Sequence, residues 1–397
     1  MLFDKTYSIL LKPICAYTDA CSSMLKRIKF HSDGSLLILE NTFNSFTIYN
    51  IGLDGSVIRS WSIMEHNGLL IDYAYIGGNM YIYFLSSESE YEEILTLYKS
   101  SGGEFETLAS IKRESYQHDM DFFFMFETGG ECRLMLIRHN RLHLYGVSNE
   151  LEEISVLEGR KWIISGGFAV NISGKEWDLY DSSLSLIHSF KFEEDIDWAG
   201  VVSSKDKSVI AMATDNAASE IGGLYIYDRA SDTHKIHYQR YGFFNIGIAC
   251  GKVWTSVVSM YSDIGGLMIF DKSASLKFAH LRDETEGNNI RAYQPSPIIY
   301  QALSIDELPD GKALISDNGK IAVTDITCRV LQEFGHSGYD CFILSKDMKR
   351  IAFLNIVNRL YGGNPEEKYE VSIDVYSWNS KKNKARVVDL TSFRKYD

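Results

Sequence analysis

The stretch Ile221-Gly222-Gly223-Leu224-Tyr225-Ile226-Tyr227-Asp228 returns forty-three residues later as Ile264-Gly265-Gly266-Leu267-Met268-Ile269-Phe270-Asp271. Both copies have a Gly-Gly break, an alternating apolar run, an aromatic and an Asp, followed by a basic residue, Arg229 or Lys272, that opens a polar turn. A looser form of the pattern (apolar, any, apolar, aromatic, small-polar) occurs six more times along the chain. These copies are Phe46 to Asn50, Leu95 to Lys99, Leu142 to Gly146, Trp177 to Asp181, Ile321 to Asp325 and Ile373 to Ser377. The fourth positions fall at 49, 98, 145, 180, 227, 270, 324 and 376, so the gaps are 49, 47, 35, 47, 43, 54 and 52. Among repeat architectures, a period near forty to fifty residues belongs to four-stranded propeller blades.

The sequence between copies reads as strands. Around the first copy, Arg27 to Phe30, Ser35 to Glu40, Ser45 to Asn50 and Ser56 to Ile63 each alternate and are bounded by Gly, Asp, Asn or Ser. The fifth unit has the same order in Ala199 to Ser203, Ser208 to Thr214, Gly223 to Asp228 and His234 to Tyr238. A short strand cannot cover both of its faces, so units stacked round an axis bury what each leaves exposed. The expected fold class is therefore all-β: one β-propeller spanning residues 1–397, built of four-stranded antiparallel blades. Eight blades are counted. Seven is the alternative, because the 35-residue gap before Tyr180 is short and the Thr324 unit lacks its aromatic. A ring must also close without free edges. Within an N-terminal segment of residues 1–25, Thr6 to Lys12 is expected to pair with the final blade.

A second recurring signal is a hairpin ahead of an apolar strand. It appears as His31-Ser32-Asp33-Gly34-Ser35, Ser203-Ser204-Lys205-Asp206-Lys207-Ser208, Pro309-Asp310-Gly311-Lys312 and Ser345-Lys346-Asp347-Met348-Lys349. Asp bonds to the backbone of its own turn, and Gly accepts positive φ. With these hairpins and the aromatic-Asp strand endings, the chain resembles the WD40, TolB and YVTN-like propellers. It departs from WD40 proteins in lacking repeated Gly-His and Trp-Asp dipeptides. The sialidase-type Asp box is also absent, since Asp54-Gly55-Ser56 stands at the wrong spacing from Trp61. The resemblance implies a fold and leaves function to the sites grafted on it.

Composition narrows the functional classes. Aromatic content of 13%, with 24 Tyr and 21 Phe, suits pleated sheets. A net charge of −13 argues against wrapping nucleic acid and favours a basic protein partner. The six cysteines are scattered without a CxxC pair and read as reduced, mostly buried thiols. No window approaches the ~18 apolar residues of a membrane span, and Tyr7 to Leu11 is too short for a secretory core. A cytoplasmic chain is expected, with no membrane association and monomeric when free.

In an antiparallel meander, turns after the first and third strands lie on one side of the ring, and those after the second and fourth on the other. The first set is tight. Insertions gather in the second, at Ser86 to Glu93, Asp215 to Gly222, Tyr261 to Gly265, Arg282 to Pro297 and Asn358 to Lys368. Long loops on a rigid scaffold tend to carry binding. This long-loop face supplies Glu88, Glu90, Tyr91, Glu92, Glu93, Glu194, Asp195, Trp198, Asp283, Glu284, Arg291, Tyr293, Tyr361, Glu366 and Glu367 as the candidate partner-binding residues. They combine charge with aromatic anchors, as protein interfaces do.

Signals for chemistry are weak. Gly-x-Ser-x-Gly, the P-loop and Gly-x-Gly-x-x-Gly are absent. His234 and His237 would point to opposite faces of a strand, a poor arrangement for two ligands of one metal. No catalytic residue, metal or cofactor is expected. The reading is a protein-binding propeller, with an inhibitor or immunity protein masking a basic toxin or nuclease as one concrete version. The competing classes are a general scaffold and a hydrolase or lyase acting on a glycan or peptide in the axial channel.

Overall fold

A computed structural model describes residues 2–15, 28–42, 45–64, 69–87, 92–114, 123–165, 167–192, 198–216, 221–239, 242–258, 264–283, 304–317, 320–327, 329–334, 341–357, 368–378 and 386–389. The described residues form eight sheets, seven antiparallel ones of four strands and a mixed one of five. Each of the seven is a meander of consecutive strands, so blades 1 to 7 occupy 28–64, 69–114, 123–158, 161–191, 198–239, 242–283 and 304–334. All eight copies of the sequence repeat fall on third strands, among them Ser45–Ile51, Ile221–Asp228, Ile264–Phe270 and Lys320–Thr324. The ring therefore has eight blades. Blade 4 is complete despite the 35-residue gap, because its strands are only five or six residues long, from Lys161–Ser165 to Leu186–Lys191.

The eighth blade is assembled from both ends of the chain. Cys341–Leu344, Arg350–Val357 and Lys368–Trp378 supply three strands, and Phe3–Cys15 lies antiparallel against Lys368–Trp378 as the fourth. Arg386–Asp389 adds a parallel fifth strand beside Tyr7 to Leu10. Phe3, Tyr7 and Ile9 are almost fully buried. Polar contacts set the register: Ser8 Oγ donates to Asp374 Oδ1 at 2.6 Å, Thr6 Oγ1 lies 2.8 Å from Ser377 Oγ, and Lys5 Nζ is 2.8 Å from Asp374. The Gln332 side chain acts as a short stand-in for a neighbouring strand. Its Oε1 accepts from the amides of Leu2 and Phe3 at 2.8 and 2.9 Å, and its Nε2 donates to the Phe3 carbonyl at 3.1 Å.

Alternation along each strand sends successive side chains to opposite neighbours. In Ile221–Asp228, Leu224 and Ile226 pack into the seam with blade 6, while Tyr225 and Tyr227 pack into the seam with blade 4. The aromatics of the repeat are thus packing residues. Buried apolar clusters fill every seam, including that between blades 7 and 8 and that between blades 8 and 1. Close packing leaves little slack where inner strands meet. At Gly247, a Cβ would stand 2.5 Å from the Ile305 carbonyl of blade 7, so only glycine lets the two backbones approach so closely.

Candidate functional site

The two sides of the ring use their polar groups differently. On the short-turn face, Asp side chains build the hairpins. Asp271 Oδ1 accepts from the Ser273 and Ser275 amides at 2.9 and 3.0 Å and from Ser273 Oγ at 2.6 Å. Asp181 repeats this with Ser183 and Ser185, and Asp325 with Thr327 and Arg329. A second form joins the first and second strands: Ser204 Oγ donates to Asp206 at 2.6 Å while accepting from the Val209 amide, and Ser345, Asp347 and Arg350 do the same. Hydrogen bonds from Ser204 and Ser208 draw the Asp206 carboxyl down to about 2. Burial alone would raise Asp271, yet Lys277, Ser273 and the turn amides hold it far below the usual carboxylate range. Asp33, Asp206 and Asp347 bond their own turns as the sequence suggests. Asp310 differs, sitting at φ 58° with its carbonyl accepting from Lys312 Nζ at 3.4 Å.

On the long-loop face, Glu88, Glu90, Tyr91, Glu194, Asp195, Glu284, Arg291, Tyr293, Tyr361, Glu366 and Glu367 lie outside the described residues. The other four stand at strand ends on blades 2, 5 and 6 rather than in loops. Glu92 and Glu93 open the third strand Glu92–Ser100, Trp198 opens Trp198–Ser203, and Asp283 closes Leu276–Asp283. Strand pairing extends because a backbone partner is available at each position. Glu92 lies opposite Glu114, Glu93 opposite Arg113, Trp198 opposite Asp215 and Asp283 opposite Ile264. Glu92 is exposed and Glu93 half-buried.

Sequence reasoning also overlooked the tight connections on this face in blades 3 and 4. The turns at His139-Asn140, Gly159-Arg160 and Gly174-Lys175 bring in Arg141, Arg160, Lys161, Lys175 and Lys191, so the face is not acidic all the way round. Arg141 pairs with Glu158 at 2.8 Å and Lys191 with Glu176 at 3.4 Å. Exposed pairs of this kind add ~0–1 kcal/mol and are screened by salt. Reading charge only within insertions hid these residues, which stand in short turns or at the strand ends beside them.

Along the inner strands, Lys29 Nζ of blade 1 bonds the Asp72 carboxylate and the Tyr73 carbonyl of blade 2. In blade 7, burial pushes the Asp306 carboxyl up. The thiols of Cys132 and Cys250 are pushed up to about 12 and about 11, chiefly by burial, which keeps them protonated. His143 Nδ1 meets Glu153 Oε2 at 2.8 Å. His234 and His237 do face opposite ways, His237 towards Phe270 of blade 6. The neighbour of His234 is instead His188 of blade 4, with Nε2 3.2 Å from His234 Nδ1. Among the described residues, no three His, Cys, Asp or Glu side chains gather as a metal-binding group. No helix in them is long and apolar enough to cross a membrane.

The closed ring of four-stranded blades, with its last blade completed by the N-terminal strand, makes the chain an eight-bladed β-propeller. Neither a protein-family model nor a curated protein matches the sequence. Solved structures align with it at low identity. The WD40 domain of Toxoplasma gondii coronin is 12% identical over 88% of each chain, with a TM-score of 0.44. A eukaryotic initiation factor is 12% identical over 64% of each chain, with a TM-score of 0.44, so the chain spans about two thirds of that structure. Porphyromonas gingivalis dipeptidyl peptidase 4 is 9% identical over 84% of this chain and 56% of its own, with a TM-score of 0.46.

Proposed function

We propose that this propeller is a non-catalytic protein-binding module that presents its long-loop face to a basic protein. The observation that carries the reading is the placement of Glu92. It is exposed at the edge of that face, and the register sets it opposite Glu114, another acid. An acid at the register position opposite offers no cross-strand ion pair, so the exposed Glu92 is placed to meet a cationic partner. The short-turn face offers a contrast, because its Asp carboxylates are largely occupied by their own turns. Rim charges of this sort steer encounter and select partners more than they add affinity.

A concrete form of the reading is an inhibitor that covers the cationic active site of a toxin or nuclease. Such a protein has one tight, salt-sensitive partner, whereas a general scaffold has several. The test is binding of the basic protein that co-purifies with the full chain, measured against Glu92→Lys combined with Glu366→Lys and Glu367→Lys. Glu93 is half-buried and stays unchanged, so that folding is not confounded with binding. The variant should bind about tenfold or more weakly, with a shallower salt dependence. Unchanged affinity would remove the long-loop face from the proposal, and several partners of mixed charge would replace the inhibitor with a scaffold.

A further inference from the structure

His188 and His234 come from the outermost strands of two different blades, Leu186–Lys191 of blade 4 and Thr233–Gln239 of blade 5. These strands belong to separate sheets with no ladder between them. The imidazoles nevertheless meet edge to edge across the seam, with His188 Nε2 3.2 Å from His234 Nδ1. Each ring rests on an aromatic shelf supplied by blade 5. His188 stacks on Tyr227 with centroids 4.6 Å apart, His234 stacks on Tyr225 at 5.4 Å, and Phe190 stacks on Tyr225 at 4.2 Å. The planes of both histidines are therefore set by packing as well as by their mutual contact.

We propose that His188 and His234 form a two-histidine site for a zinc-type divalent transition-metal ion, clamping blades 4 and 5 together at the rim of the ring. Two imidazole nitrogens bound to one tetrahedral ion at ~2.0–2.1 Å stand about 3.3–3.4 Å apart. The pair is already at nearly that separation. A hydrogen bond between two neutral imidazoles also fits the distance, but at an exposed rim water serves either nitrogen equally well, so that bond alone gives the fold little. The surroundings favour ligation. Tyr227, under the His188 ring, donates its hydroxyl to Asp232 Oδ1 at 2.8 Å. This holds a carboxylate beside the His188 ring through the tyrosine on which that ring rests. Two protein ligands leave the remaining coordination positions to water or to a donor from an incoming molecule, so the site is of the open kind.

The experiment titrates chelator-treated, full-length protein with zinc chloride while following heat and the histidine ring nitrogens by NMR. Zinc should move the ring signals of His188 and His234 together and should raise the thermal midpoint, because a ligand that binds only the folded state stabilises it. His188→Gln and His234→Gln should each weaken the zinc affinity by about tenfold or more, since even outer-shell changes cost ~10–100-fold. His139→Gln, in an exposed turn of blade 3, should leave the affinity unchanged. Zinc that shifts only other histidines, or binds both variants as tightly as the native chain, would overturn the proposal. The spectra of the native chain decide the matter even if a variant fails to fold.

Discussion

Blades 7 and 8 are neighbours built in opposite ways. Blade 7 is one stretch of chain whose strands pair in the order in which they follow one another, ending with Val330–Phe334. In blade 8, Phe3–Cys15 pairs with Lys368–Trp378, so residues more than 350 positions apart in sequence become neighbours, as Phe3 and Trp378 do. Blade 7 costs only short loop closures. Blade 8 costs the closure of the whole ring, and chain entropy grows with the length of the loop that is closed. The compensation is visible in the side chains. Phe3, Tyr7 and Ile9 are almost wholly buried, Phe3 stacks edge-on against Trp378 at 4.8 Å, and Gln332 of blade 7 grips the main chain of Leu2 and Phe3. Long-range closure is thus secured by more specific contacts than local closure needs.

Deleting residues 1–15 breaks this comparison most directly. It removes three buried side chains worth ~1.5–3 kcal/mol each and leaves Lys368–Trp378 without its antiparallel partner. A typical domain has only ~5–15 kcal/mol of stability to lose. The expected outcome is a chain that no longer unfolds cooperatively, or a thermal midpoint lowered by many degrees. An unchanged midpoint would mean that the N-terminal strand is dispensable. Re-attaching the same residues through a turn after Trp378 would make blade 8 a local meander like blade 7 and should restore the midpoint.

A smaller effect is expected at Gly247→Ala, which leaves every strand in place and tests a seam instead. The added methyl would meet the Ile305 backbone at 2.5 Å and its Cβ at 2.7 Å. The inner strands of blades 6 and 7 would have to part. Overpacking of this kind costs ~1–3 kcal/mol, read as a lower denaturant midpoint at unchanged slope. A neutral substitution would show that seams, unlike the closure, can give way.

The contrast between local and long-range structure also explains what could be read from the sequence. Third strands were legible because their pattern is local: alternation, an aromatic and an Asp within five residues, as in Leu224 to Asp228. The blade type and the closing strand followed from that period and from the need to pair every edge. Blade 4 was ambiguous only because its short strands compress the spacing. The candidate site was far less legible. Whether Glu92 is loop or strand depends on a register partner at Glu114, and whether His234 has a metal-ligand neighbour depends on His188, forty-six residues away on another blade. Inspecting His234 with His237 could not reveal that contact, since pairs across a seam leave no trace in local spacing.

The finest test of local against long-range contributions uses carboxylates of opposite tendency. The hairpin acids Asp206, Asp181, Asp325 and Asp347 have depressed folded-state values, while Asp306, on the inner strand of blade 7, is raised by burial. For a depressed carboxyl, the folded state binds fewer protons than the unfolded state. Its contribution is therefore complete above the unfolded value of 3.8 and fades as pH falls towards about 2 for Asp206. A raised carboxyl acts in the opposite sense. Its contribution is complete below 3.8 and is lost as pH rises through the folded value. Asp306→Asn removes an acid that resists ionisation, so it should raise the thermal midpoint slightly at pH 7 and leave it unchanged at pH 3, where the native carboxyl is already protonated. An equal shift at both pH values would show that Asp306 acts through packing rather than charge. A lower midpoint at pH 7 would mean that its ionised form is held by a partner on a neighbouring blade.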